Sequence, residues 1–232
     1  MSMWSERIGP SLVKHKYVVL LFAILQHLYV GIVLANYHQF YMKYIWVANM
    51  VILGLASTGV FSDQSRTRTV IRNLLILLVI GIPLALGFAS DIDEFMIGAS
   101  ILYAIYFAFI FAEILRFLLR PSHIDVNHIS AAACGYFLLV EIGVFALQGM
   151  HYFNYASFAN VSGADVAATY MDMVYFVSIT ISTIGFGDIT PVTHDAKLAT
   201  ALLGTFGQLY TVVLIGILVG KYTANTGNNS SS

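Results

Sequence analysis

Charge is what this chain has least of. Only 10% of its 232 residues are Asp, Glu, Lys or Arg, against 59% hydrophobic. A soluble domain carries about 25% charged residues, so this chain cannot coat a water-facing surface. The class that remains is a polytopic membrane protein. It also lacks an excess of either sign. A formal net charge of -1 excludes the basic footprint of a nucleic-acid binder. Cysteine is nearly absent. The single Cys134 sits inside an apolar run, which excludes a disulfide framework and a cysteine-rich metal site and leaves a small packing residue.

What is present is a series of long apolar segments: Tyr17–Ala35, Tyr44–Phe61, Val70–Ala89, Phe95–Leu119, His128–Gly149 and Lys197–Tyr222. At 1.5 Å rise per residue each is long enough to cross a bilayer core, which needs about 20 residues. The first opens after Lys14-His15-Lys16 and reads as a retained span rather than a cleaved signal peptide. Six spans are therefore expected. Basic residues set their orientation. Arg7, Lys14, Lys16, Arg66, Arg68, Arg72, Arg116, Arg120 and Lys221 fall on one side, and Lys43 and Lys197 on the other. Both termini are expected in the cytoplasm of a cell-membrane protein, as an even number of spans requires.

The link between the last two segments is different. A polar stretch, Met150–Ala168, leads into a short apolar segment, Thr169–Ser182, and then into Thr183-Ile184-Gly185-Phe186-Gly187-Asp188. The short segment is about 21 Å long as a helix, too short to span but suited to a re-entrant helix. Thr169 and Asp172 are spaced as a capping box and predict its start. Glycine-rich irregular backbone cannot face lipid, because its unpaired polar groups cost several kcal/mol each. It is tolerated where it lines a water-filled cavity, so this loop is expected to line a pore.

The run T-I-S-T-I-G-F-G-D, Thr180 to Asp188, resembles the potassium-channel signature T-x-T-T-V-G-Y-G-D. Six spans with the pore loop between the last two also resemble the layout of the voltage-gated-like superfamily. The resemblance covers the last hundred residues, from the fifth span to Tyr222. It implies an all-α tetrameric ion-channel fold, with a peripheral four-helix region at 1–127, a pore domain at 128–222 and a disordered tail at 223–232. The partners it implies are three identical subunits and membrane lipid, with no nucleic acid. No cofactor is expected beyond the permeant ion, and no enzymatic activity.

The chemistry agrees with that reading. Dehydrating potassium requires a cage of oxygens, and backbone carbonyls turned toward an axis provide one. Gly185 and Gly187 accept backbone angles closed to residues with a Cβ. Carbonyls of Thr183, Ile184, Gly185 and Phe186 would hold K+ in stacked rings, with the Thr183 hydroxyl innermost. Ile184 would point away from the axis, toward the pore helix. Phe186 stands where the family has Tyr, and Tyr175-Phe176 where it has Trp-Trp. The lost hydroxyl and its lost Trp partner match each other, so packing by Phe176 is expected to replace that bond. Tyr175 is expected to hydrogen-bond Asp188. Thr190, two residues past Asp188, marks the outer mouth. Gly207 is placed where the family carries a hinge glycine, and Gly216 and Gly220 on the same span read as gate residues or as a close-packing face.

The fourth span occupies the voltage sensor's place but has no arginine ladder. Steep gating needs three or four charges per subunit, each contributing about 2.3 kcal/mol per 100 mV. Arg116 and Arg120 sit at its inner end, where they read as positive-inside anchors, and Glu113 is one turn from Arg116. Glu141 has no obvious partner in the sequence, and Gln26 and Asn49 are equally open between functional and structural roles. Asn160-Val161-Ser162 is a glycosylation sequon on the outer side. Two rival functions remain. One is a cation channel passing sodium as well as potassium. The other is an intramembrane aspartyl protease of the G-x-G-D type, which lacks here the second intramembrane aspartate that shared acid–base work requires.

Overall fold

The computed structural model describes residues 15–34, 37–61, 66–88, 90–119, 126–162 and 165–229. Arg7, Lys14 and Arg120 lie outside them. Seven helices carry the architecture: α1 (Lys16–Leu34), α2 (His38–Thr58), α3 (Arg66–Ala85), α4 (Ile92–Leu119), α5 (Val126–Phe153), α6 (Val166–Ile181) and α7 (His194–Asn229). Two short strands, β1 (Phe158–Ala159) and β2 (Thr190–Pro191), pair antiparallel beside α6.

Five helices (α1, α2, α4, α5 and the Lys197-containing part of α7) are long and apolar enough to cross a membrane. The chain is a multi-pass membrane protein. The third expected span, Val70–Ala89, is cut short. Its apolar helix covers Thr69–Ala85, and a tighter turn follows at Leu86–Phe88. Pro83 lies inside its last turn, and a proline there removes a helical hydrogen bond and crowds the preceding turn. At the other end of the chain α7 continues as helix through Asn229, over residues expected to be disordered. No proline interrupts it, so the apolar helix carries on into its polar extension.

The centre of the fold is α5, which packs against α4, α1, α6 and α7. Its small residues Ala131, Ala132, Cys134 and Gly135 are buried and let neighbouring backbones approach closely, as membrane helices require. At Gly135 the approach is so tight that the Tyr210 hydroxyl of α7 occupies the space of a side chain. That hydroxyl donates to the Ala132 carbonyl at 2.7 Å. A group of aromatic rings joins three helices, α4, α5 and α6. Phe145 lies 4.7 Å from Tyr103, 5.7 Å from Phe107 and 5.8 Å from Tyr170, centroid to centroid.

Polar groups inside this core find partners across helices. Gln26 donates to Asn49 at 2.5 Å, tying α1 to α2. Glu113 pairs with Arg116 on α4, as the sequence suggests. Glu141, for which the sequence shows no obvious partner, bonds to a neighbouring helix: its partner is His27 of α1, 114 residues away.

Gly207, expected as a hinge, lies in an uninterrupted helix and is buried. A Cβ there would come within 2.7 Å of Ile181 Cγ2 at the end of α6. The glycine thus lets α7 close on the re-entrant helix. Gly207→Ala is expected to force the two apart at a cost of about 1–3 kcal/mol, read as a lower unfolding temperature in detergent. Gly98→Ala, whose methyl would meet nothing within 4 Å, should not lower it.

Candidate pore loop and its supports

The loop begins where α6 ends. The α6 N-terminus is capped by Asp165, whose side chain accepts from the Ala167 amide at 3.0 Å. The capping box expected at Thr169 and Asp172 is therefore not the start; the N-cap lies four residues earlier, at Asp165, itself a strong capping residue. Thr169 and Asp172 serve otherwise. The Thr169 hydroxyl donates to the Ser162 carbonyl, and the Asp172 carboxylate accepts from the Ser162 amide at 2.8 Å. Together they hold the incoming chain against the helix.

After Ile181 the backbone alternates in hand. Thr183 has φ +62°, Gly185 +53° and Gly187 +80°, while Ile184 and Phe186 between them are not in the positive range. Two glycines take this region freely, but a β-branched threonine there is an outlier. Its strain is of order 1–3 kcal/mol. Residue type alone gives no sign of this conformation at Thr183. The signal was the even spacing of Thr183, Gly185 and Gly187.

The amides show where the carbonyls go. Ile184 N donates to Ile179 O at 2.9 Å and Gly185 N to the same oxygen at 3.1 Å, while Thr183 N donates to Thr180 O. All peptide bonds described are trans, so each C=O points opposite to the N–H in its own peptide plane. The carbonyls of Ser182, Thr183 and Ile184 therefore all turn away from α6. Alternating-hand backbone gathers amides on one edge in this way and leaves the oxygens on the other. The loop from Ser182 to Asp188 is exposed within the chain, so this oxygen edge is open.

The far end of the loop is braced separately. Tyr175 on α6 donates to Asp188 Oδ2 at 2.6 Å, the contact expected from the sequence. Asn160, itself at φ +62°, donates from its side-chain amide to Asp188 O at 2.7 Å, so the sequon residue is a brace. The strand pairs Ala159–Thr190 and Phe158–Pro191, with Val192 N donating to Ser157 O at 2.8 Å, fasten the returning chain to the rim. Thr190 is exposed there. Phe176 is buried, and the ring it meets belongs to Phe158, at 5.7 Å. Ile184 and Phe186 are 56% and 70% exposed within one chain. The expected packing of Ile184 against α6 thus leaves much of its side chain exposed inside one chain. Gly216 is exposed with open space at its Cβ position, and Gly220 lies beyond the residues whose surroundings are described.

This is a multi-pass membrane protein in which a short apolar helix leads into a loop with an exposed backbone edge. Residues 132–224 match the family model described as an ion channel, which covers less than half of the chain. A potassium channel protein of Paramecium bursaria Chlorella virus 1 is 49% identical over 41 residues, 18% of this chain. The chain spans 44% of the length of that relative. No solved structure matches. Both similarities are to non-enzymatic transport proteins, and the chain is not an enzyme.

The hydrogen bond from Tyr175 holds the Asp188 carboxyl below the usual aspartate range. Tyr175→Phe removes that donor, so Asp188 should titrate at higher pH than in the native chain. Carboxyl-carbon NMR of labelled aspartate measures the midpoint, and an unmoved midpoint would contradict the assignment.

Proposed function

We propose that four copies of this chain assemble around the Thr183–Gly187 loop as a potassium-selective channel. The observation that carries this is the common direction of the Ser182, Thr183 and Ile184 carbonyls, set by amides that converge on Ile179 and Thr180. One such edge offers an ion oxygens on one side only; dehydration needs oxygens all round, and four edges about an axis supply them. Thr183, Ile184, Gly185 and Phe186 would present K+ sites, with Gly187 completing the turn. The resemblance at Thr180–Asp188 and the viral relative's description as a potassium channel support the choice of ion.

The last helix supports the assembly. Only 11% of its apolar window is buried inside one chain. Thr205 and Gln208 are exposed on it, and polar side chains at membrane depth belong beside water or protein rather than lipid. We place them on the water-filled side of α7, with Leu202, Phe206 and Val213 toward other subunits or lipid. Six spans with cytoplasmic termini complete the reading, α3 joining the five long apolar helices.

The decisive experiment is ion flux from liposomes holding the purified chain. Potassium should leave and sodium should not. Gly185→Ala puts a Cβ at φ +53°, where L residues are strained, so flux should vanish while the oligomer persists. Undiminished flux in that variant would remove the loop from the pathway.

Voltage dependence should be weak. Among the described residues of α4 the only basic side chain is Arg116, near its end and paired with Glu113. Each charge crossing the field contributes about 2.3 kcal/mol per 100 mV, and steep gating needs several. Planar-bilayer recordings should give open probabilities that change little with potential; a steep curve would contradict this.

A further inference from the structure

One buried cluster lies outside the loop and its braces. His27 of α1 is 1% exposed and Glu141 of α5 is 0% exposed. Their Nδ1 and Oε1 atoms are 2.6 Å apart. The Tyr170 hydroxyl of α6 lies 3.1 Å from the same ring nitrogen. Phe107 and Phe145 flank the imidazole at 6.2 and 6.4 Å between ring centroids.

The chemistry of the contact is narrow. At 2.6 Å one hydrogen lies between Nδ1 and Oε1, whichever atom carries it. If the nitrogen carries it, the Tyr170 oxygen can accept from that same N–H. If the carboxyl carries it, Nδ1 is an acceptor that the carboxyl and the Tyr170 hydroxyl compete for. In both arrangements a single imidazole nitrogen fastens the outer helix and the re-entrant helix to α1. Such a node fixes position, because a hydrogen bond weakens steeply with distance and angle whereas an apolar contact tolerates sliding.

The rest of α1 and the start of α2 run beside α6 in the opposite direction. Tyr29 meets Ser178, their hydroxyls 3.2 Å apart. A side chain at Gly31 would touch Met171 at 3.2 Å. His38 reaches the N-cap Asp165. Ser178 immediately precedes Ile179, whose carbonyl receives both loop amides.

We propose that His27 is a positioning residue for ion conduction: through Tyr170 and Glu141 it sets the height of α6, and hence of the Ile179 carbonyl from which the pore loop hangs. This rests on the loop being the conduction path. It gives the first helix a role in shaping the filter without any movement of charge.

The test compares Tyr170→Phe, Glu141→Gln and Glu141→Leu in the full-length chain, by hydrogen exchange at the Ile184 and Gly185 amides and by potassium and sodium flux. Tyr170→Phe keeps the ring and removes only the hydroxyl, so folding should survive it. Exchange at the two amides should quicken roughly three- to tenfold, the scale of one lost hydrogen bond, with exchange in α4 unchanged. Glu141→Leu should do the same or more. Glu141→Gln retains an oxygen that accepts from Nδ1–H, so its exchange should remain near the native rate. Potassium flux or its excess over sodium should fall in the first and third variants only. Native exchange at Ile184 and Gly185 in Tyr170→Phe, or equal damage from Gln and Leu at 141, would overturn the proposal. Because exchange is read on the amides themselves, it decides the positioning role independently of wild-type selectivity, whose absence would count against the channel reading instead.

Discussion

Two amides sharing one carbonyl is the contact on which the shape of the candidate pore loop depends. Ile184 and Gly185 both donate to Ile179 O, and planar trans peptides then leave no freedom in the oxygens behind them. Everything near the loop follows from keeping that carbonyl in place. The re-entrant helix ends there because its chain must reverse. Thr183 adopts a left-handed angle that threonine resists, which persists only where the surroundings over-determine it. The over-determination is visible at both ends, in the hydrogen bonds back to Thr180 and Ile179 and in the Tyr175, Asn160 and strand contacts around Asp188.

The re-entrant helix is in turn held on two sides. Its outer flank meets the rim, where Ser162 is gripped by Thr169 and Asp172 and Phe176 packs against Phe158. Its inner flank meets α1 and α5 through Tyr170. A helix of about 24 Å held along both flanks has little room to tilt. On the proposed reading, this is how the first four helices, with no arginine ladder, bear on the loop: they reach α6 directly and through α5.

Much of this was legible in the sequence, and the exceptions have physical reasons. Apolar length placed the spans, since a bilayer sets a minimum that composition alone can reveal. The limit appeared at Val70–Ala89, where the helix gives way to a tighter turn after Ala85 and a hydropathy count does not register it. The Gly185–Asp188 run marked the loop, because glycine takes the positive φ found at Gly185 and Gly187 freely. The left-handed Thr183 was hidden, its conformation being imposed by neighbours against its own preference. The Tyr175–Asp188 bond, 13 residues apart, could be anticipated, whereas His27 and Glu141 are 114 apart and meet only after α1 has packed on α5. Local spacing carries no trace of such a pairing. The Thr169–Asp172 pattern misled for a related reason: the same residue types that cap helices also grip a neighbouring strand of backbone, and Asp165 was nearer the true start.

The buried His27–Glu141–Tyr170 node is best understood against its apolar alternative. Replacing a buried ion pair by well-packed hydrophobic groups is often neutral or stabilising, so such a pair is weak evidence for stability. Van der Waals packing between membrane helices gives little preference among neighbouring registers, since lipid is as apolar as the side chains it replaces. The aromatic rings around Phe145 could therefore hold α1, α4, α5 and α6 together and still leave α6 free to shift. A directional contact at one nitrogen removes that freedom. An error of one ångström there would pass directly to Ile179 and to the oxygens behind Ile184 and Gly185, so the polar node belongs to the geometry of the loop more than to the stability of the bundle.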